Sequence, residues 1–301
     1  MSRSPVVWIV ALFGALLTGC TASPSGGEIV VTTTILGDVV SNVVGDEARV
    51  RVLMQPNADP HSFGVSAQDA AAMNDADLVV YNGLGLEENI TRNVDSAAAE
   101  NVPVLAVGEH VDPIAYSDGE GAGTPDPHFW TDPQRMIIAV DAIEETVVRE
   151  IDGIDAHAVA HHAERYRARL RELDLTMADG VATIPPERRK LVTNHHVLGY
   201  LARRFGFTVI GAIVPSGTTL AAPSPSDLHS LVEAIESAGV PALFVDSSQP
   251  EKLAAVLAAD AGVDVRIIPL YTESLSPAGT PGATYLDMMR ANADAIVTGL
   301  R

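Results

Sequence analysis

From residue 28 onward the apolar positions switch repeatedly between two periods. Short β-branched runs at 29–33, 50–54, 78–81 and 102–107 read as strands. Between them, 37–44 and 67–73 carry apolar residues at helical spacing. The second of these helices opens on Ser66 with Asp69 three residues later, the arrangement of a capping box. The same grammar returns at 191–193, 208–213, 242–245 and 263–268. There Ser224-Pro225-Ser226-Asp227 puts serine at the N-cap and proline at the first helical position, and the helix runs toward Gly239. Strands alternating with helices predict parallel sheets flanked by helices, in two α/β lobes. No sequence-level repeat relates the two halves.

A different pattern lies between them. Residues 136–148 and 155–183 contain no proline. Val159, Ala163, Tyr166, Leu170, Leu173 and Met177 follow one another at steps of three and four. That spacing predicts one amphipathic helix of unusual length, stopped by Pro185 and Pro186. The predicted organisation is a first lobe over 28–150, a long linking helix over 151–184 and a second lobe over 185–301. A helix in that place is a stiff strut, where a Gly- or Ser-rich connection would be a hinge.

The first 27 residues have their own character. Arg3 precedes an apolar run over 6–17 that is too short to span a bilayer comfortably and reads as a signal-peptide core. Leu17-Thr18-Gly19-Cys20 then ends on the chain's one cysteine, which can have no disulfide partner within the chain. Small residues ending in cysteine form the pattern at which bacterial lipoproteins are cleaved and acylated. Residues 1–19 are therefore expected to be a lipoprotein signal peptide, Cys20 the lipidation site and 20–27 a flexible tether. The expected location is outside the cytoplasm, anchored to the bacterial cell membrane through acyl chains. Net charge is −20, and removing 1–19 takes away only Arg3, leaving −21. That balance argues against nucleic acid, whose phosphates need Lys and Arg, and against adhesion to an anionic lipid surface. With no cysteine after Cys20, a zinc-type site must be built from His, Asp and Glu.

Nine histidines are candidates. His157 and His161, at i and i+4 beside His162, have metal-compatible spacing, but no carboxylate accompanies them and a solvated helix face is expected. His110 and His229 stand alone. His61 and His128 each close an Asp-Pro-His triplet, in Asp59-Pro60-His61 and Asp126-Pro127-His128, where proline stiffens the backbone that presents the ring. His195 and His196 follow the strand ending at Thr193, and Glu273 follows the strand ending near Ile268. His61, His128, His195 and Glu273 thus all lie past the carboxyl ends of predicted parallel strands, where open α/β sheets bind ligands. Two facing lobes would bring three imidazoles and a carboxylate together, a set that suits a divalent first-row metal. Asp246, at the end of the strand 242–245, is a rival carboxylate, with capping of the turn after it as its simpler role.

These residues resemble the cluster A-I, TroA-like zinc- and manganese-binding lipoproteins that feed ABC importers. Asp59-Pro60-His61 is similar to the first ligand motif, and Asp126-Pro127-His128-Phe129-Trp130-Thr131-Asp132-Pro133 to the second. Thr193-Asn194-His195-His196-Val197-Leu198-Gly199-Tyr200 is similar to the third, with His195 in the ligand place. Tyr285-Leu286-Asp287-Met288-Met289-Arg290-Ala291-Asn292 is similar to the C-terminal helix. The resemblance implies two lobes joined by one long helix and a metal held by His61, His128, His195 and a fourth ligand. That ligand is usually aspartate, and here Tyr271-Thr272-Glu273 offers Glu273, leaving Glu273, Asp246 and water as the alternatives. The loop 117–125 lacks the histidines that zinc-selective members often carry. Three nitrogen ligands favour Zn2+, with Mn2+ open. The implied activity is capture of a transported metal and its delivery to an ABC permease by a monomeric binding protein, with no catalysis. Two other readings are a metallohydrolase with Glu273 as general base and a surface adhesion protein. No His-Glu-x-x-His motif or nucleophile elbow supports the former.

Overall fold

The computed structural model describes residues 27–117, 121–248, 252–260 and 265–301. The expected signal peptide, Cys20, the expected tether up to residue 26 and the acidic residues Asp118 and Glu120 lie outside the described residues. No described helix is long and apolar enough to cross a membrane.

The first sheet is built from β1 (Glu28–Val31), β2 (Arg49–Val52), β3 (Leu78–Tyr81) and β4 (Val104–Ala106), all parallel, in the order β2-β1-β3-β4. Its helices are α1 (Thr34–Val44), α2 (Ala67–Asn74) and α3 (Thr91–Ala99). The capping box at Ser66 is present, with Asp69 receiving the N-cap backbone N–H in return. The predicted strand 102–107 is shorter than expected. At Val107 the chain enters a 3-10 turn that brings the Gly108 N–H to the Asn82 carbonyl at 2.8 Å. A side chain at Gly108 would collide with that oxygen, so the turn depends on glycine.

After α4 (Pro133–Glu150) comes α5 (Ala156–Ala182), the long helix. It buries the stripe Val159, Ala163, Tyr166, Leu170, Leu173 and Met177. This stripe packs against α1 and α4 on one side and α9 (Tyr285–Leu300) on the other. One apolar core therefore runs without a break from Ile29 and Val80 through α5 to Leu191 and Phe244. The helix is part of the core and bridges both sheets, and the six residues the periodicity selected are among its eight buried ones.

The second sheet repeats the first. Strands β5 (Lys190–Thr193), β6 (Thr208–Ala212), β7 (Ala242–Asp246) and β8 (Arg266–Leu270) run parallel in the order β6-β5-β7-β8. Helices α6 (Gly199–Phe205), α7 (Pro225–Ala238) and α8 (Lys252–Asp260) accompany them. The capping box at Ser224 and Asp227 is formed, and Gly239 ends α7 in the left-handed region. Strand β8 extends to Leu270, two residues past the predicted end, while 263 and 264 fall outside the described residues.

The two halves are stitched by polar contacts. Asp38 of α1 accepts from the Tyr285 backbone N–H at 3.1 Å, so one lobe caps the first turn of a helix in the other. Asp174 of α5 accepts from Gln134 at 2.7 Å and from Arg204 of α6 at 2.5 Å. The Asn57 N–H donates to the Leu275 carbonyl, and the Leu275 N–H to the Thr34 hydroxyl.

Candidate metal centre

Both Asp-Pro-His triplets fold the same way. The aspartate Oδ1 accepts the backbone N–H of the histidine two residues on, at 2.9 Å for Asp59 with His61 and 2.9 Å for Asp126 with His128. These are Asx turns, the local geometry that a short acceptor side chain offers its own backbone, and the proline between removes a competing donor. Each turn is also tied across the seam. Thr219 donates to Asp59 Oδ2 at 2.5 Å, and the Tyr200 hydroxyl donates to the Asp126 carbonyl at 2.7 Å.

His61 follows β2, His128 follows β4, His195 follows β5 and Glu273 follows β8. In the second sheet β5 lies between β6 and β7, so His195 leaves the sheet at its topological switch point. One ligand atom from each of the four residues lies within 4.8 Å of the other three, and all four side chains are buried. The Nε2 atoms of His61 and His128 are 3.4 Å apart. Glu273 Oε1 is 3.1 Å from His195 Nε2, and Oε2 is 3.8 Å from His61 Nε2. The three rings stand 5.2–5.5 Å apart, centre to centre.

Their hydrogen bonds leave the inward atoms bare. His128 Nδ1 is 2.7 Å from Asp126 Oδ1, which fixes the proton on Nδ1 and turns the Nε2 lone pair inward. Asn194 lies 3.0 Å from His195 Nδ1 through its amide nitrogen, and its Oδ1 is buried without a partner. Turning that amide over gives Nδ1–H an acceptor and frees Nε2 for a ligand. Among the described residues, His195 Nε2 and both Glu273 oxygens have no hydrogen-bond partner. Burial and the neighbouring imidazoles hold His61 down at about 2, and burial holds His195 at about 4. Burial pushes the Glu273 carboxyl up to about 8. Burial thus disfavours charge on His61, His195 and Glu273 alike. A divalent cation would supply the charge that this burial otherwise disfavours.

A cavity of about 260 Å³ reaches the edge of the cluster, lined by His61, Tyr116, Pro127, Ser216 and Gly217. The Tyr116 hydroxyl stands between cavity and site, 3.2 Å from His128 Nδ1 and 3.4 Å from the Gly217 carbonyl. A Cβ on Gly217 would overlap that hydroxyl.

The other candidates lie elsewhere. His196 donates its backbone N–H to Ser216 and faces the Tyr116 ring at 6.4 Å, outside the cluster. His157 and His161 are exposed on α5, and His229 is exposed beside Glu233. Asp246 is buried but also outside the cluster, engaged by Ser248 and Thr272. The sequence reading did not single out Glu87. Its fully buried carboxylate accepts from Thr32 Oγ1 and the Asn82 N–H, both at 2.7 Å, and from the Gly83 N–H at 3.1 Å. Asn82 in turn donates to the Pro127 carbonyl beside His128. The available signal was the run Asn82-Gly83-Leu84-Gly85-Leu86-Glu87, where residues 83–85 all take positive φ.

Comparison with known proteins agrees with this architecture. The family model for the periplasmic zinc-uptake complex component A, ZnuA, matches residues 29–299. The manganese-binding lipoprotein MntA of Halalkalibacterium halodurans is 30% identical over 300 residues, covering 98% of this chain and 97% of its own. The zinc-binding protein TroA of Treponema pallidum is 30% identical over 312 residues, covering 100% of this chain and 99% of its own. The solved structure of TroA superposes with a TM-score of 0.83 at 30% identity, over 91% of this chain and 99% of that one.

Proposed function

The chain belongs to the ZnuA family of zinc-uptake components, and we propose that it is an extracytoplasmic lipoprotein that captures a divalent transition metal and hands it to an ABC permease. The observation that carries this reading is the buried meeting of His61, His128, His195 and Glu273 at the seam of the lobes. We assign these four as the ligands and Cys20 as the acylated anchor. Three nitrogens and one carboxylate suit zinc ahead of manganese. A closed ligand set with no open position suits transport better than hydrolysis. Glu273 fits the fourth ligand place because both its oxygens face imidazole nitrogens, which leaves neither aimed outward as a general base. The division into lobes at 28–150 and 185–301 around the strut belongs to the same reading, as does action as a monomer. Metal analysis of protein purified without chelator, followed by competitive zinc and manganese titration, tests it. Zinc at about one equivalent is expected, and a metal-free protein that binds neither ion would refute it.

Two further results are expected. Of His61, His195 and Glu273, it is Glu273 that must lose a proton to bind near neutral pH. Zinc affinity should therefore rise about tenfold per pH unit from about pH 5 to 8 and level off above. Free imidazoles would place the fall below about pH 6.5. Burial moves the sensitive group from imidazole to carboxyl, and competitive titration across this range distinguishes the two. Second, the core shared through α5 and the Asp38 and Asp174 contacts resist a clamshell motion. Small-angle scattering should give the same radius of gyration, about 19 Å for a compact chain of this size, with and without zinc. A clear compaction on loading would contradict the stiff strut.

A further inference from the structure

The Glu273 carboxyl has no hydrogen-bond partner among the described residues, so something else must aim it. The residue before it is held at every polar atom. The Thr272 N–H donates to Asp246 Oδ2 at 3.2 Å, and the Thr272 hydroxyl donates to the same oxygen. The Thr272 carbonyl accepts the indole N–H of Trp130 at 2.9 Å, from the opposite lobe. Trp130 is itself fixed, its carbonyl accepting the Tyr285 hydroxyl at 2.6 Å. Asp246 Oδ1 accepts the Ser248 N–H at 2.7 Å and the Ser248 hydroxyl. Asp246, Thr272, Trp130 and Glu273 are all at most 3% exposed.

From this geometry we propose that Asp246 is a positioning residue for the metal ligand Glu273, acting through Thr272. The proposal rests on the reading of the four-residue cluster as the metal site. The Asp246 carboxylate takes four donors at once, two from the turn after β7 and two from Thr272 after β8. It thereby locks the exit of one strand to the exit of its neighbour. Trp130 pins the same residue from the side of His128, so Thr272 is clamped between the two ligand-bearing segments. With both ends of the clamp set, the Glu273 side chain leaves the backbone in one direction, toward the three imidazoles. Partners that orient a ligand in this way are typically worth about 10–100-fold in metal affinity.

Asparagine at 246 keeps one acceptor oxygen but turns amide hydrogens toward backbone donors, so the clamp loses half its bonds without losing volume. The test is a double-mutant cycle in the full chain, read by competitive zinc titration. Asp246→Asn should lower zinc affinity by about 10–100-fold when Glu273 is present. In a Glu273→Ala background the same change should alter affinity by less than about threefold, since there is no carboxylate left to aim. Thr272→Val, which removes a single donor, should show the same dependence on Glu273 at smaller size, and decides the matter if Asp246→Asn does not fold. Equal losses in both backgrounds would mean a general structural role and overturn the proposal, as would no loss when Glu273 is present. A wild-type chain that binds no zinc would instead overturn the reading of the cluster, and the clamp with it.

Discussion

His195→Ala is expected to lower zinc affinity by about 10²–10³-fold, while His196→Ala lowers it by less than about threefold. Structural zinc sites bind with roughly 10–16 kcal/mol, so one ligand of four accounts for roughly 3–4 kcal/mol, or about 10²–10³ in affinity. The two histidines are adjacent and chemically identical, and only their surroundings separate them. His195 is fully buried, its Nε2 is 3.1 Å from Glu273 Oε1, and that nitrogen has no hydrogen-bond partner. His196 is half-buried and stands outside the cluster, its ring 6.4 Å from that of Tyr116. The bend that follows β5 at Asn194 to His196 sends the His195 ring to the seam and leaves the His196 ring beside Tyr116. Competitive titration of the two variants reads the difference directly. Equal losses would show that the pair acts as a unit and would remove the assignment of His195 alone.

The loops that bring His61 and His128 into the cluster were legible because their signals are local. Asp59 and Asp126 reach only two residues ahead to fix His61 and His128, and a strand end followed by such a turn can be recognised without knowing the partner strand. The capping boxes at Ser66 and Ser224 and the stripe along α5 are likewise short-range patterns. Helix α3 escaped notice because it buries only Val94 and Ala97, and a run of small residues leaves no apolar stripe to read. Helix α6, at seven residues, is too short to show a period. The shortening of β4 depends on Gly108 closing against Asn82, a contact between separate strands. The aiming of Glu273 was equally invisible. Its determinants join Thr272 to Asp246 across 26 residues and to Trp130 across 142. Asp246 illustrates the limit well. Position at a strand end marks it as a possible ligand, and only the three-dimensional placement of Thr272 and Ser248 shows its four donors.

Replacing Glu273 with leucine is expected to raise the melting temperature of the metal-free protein while abolishing stabilisation by zinc. Without metal, the seam buries His61 Nδ1, His195 Nε2 and both Glu273 oxygens with no hydrogen-bond partner. Each such atom costs about 1–3 kcal/mol relative to a satisfied or apolar group. Leucine has nearly the same bulk and no polar atom, so the Glu273→Leu variant should gain on the order of 1–3 kcal/mol. At about 2–4 °C per kcal/mol for a chain near this size, that is a rise of several degrees. Zinc reverses the order. At free zinc about a thousandfold above the dissociation constant, binding stabilises the wild-type chain by about 4 kcal/mol, and the variant, lacking its only acidic ligand, receives little of it. Thermal melts of both proteins with chelator and with zinc therefore cross: the variant is higher in the first condition and the wild type in the second. A variant that melts lower in chelator would show that Glu273 supports the empty fold and that the site is not held open against its own desolvation. The crossing, in contrast, would mean that four unmatched polar atoms on three side chains are kept at the seam for the sake of an ion, and that local packing alone would have chosen otherwise.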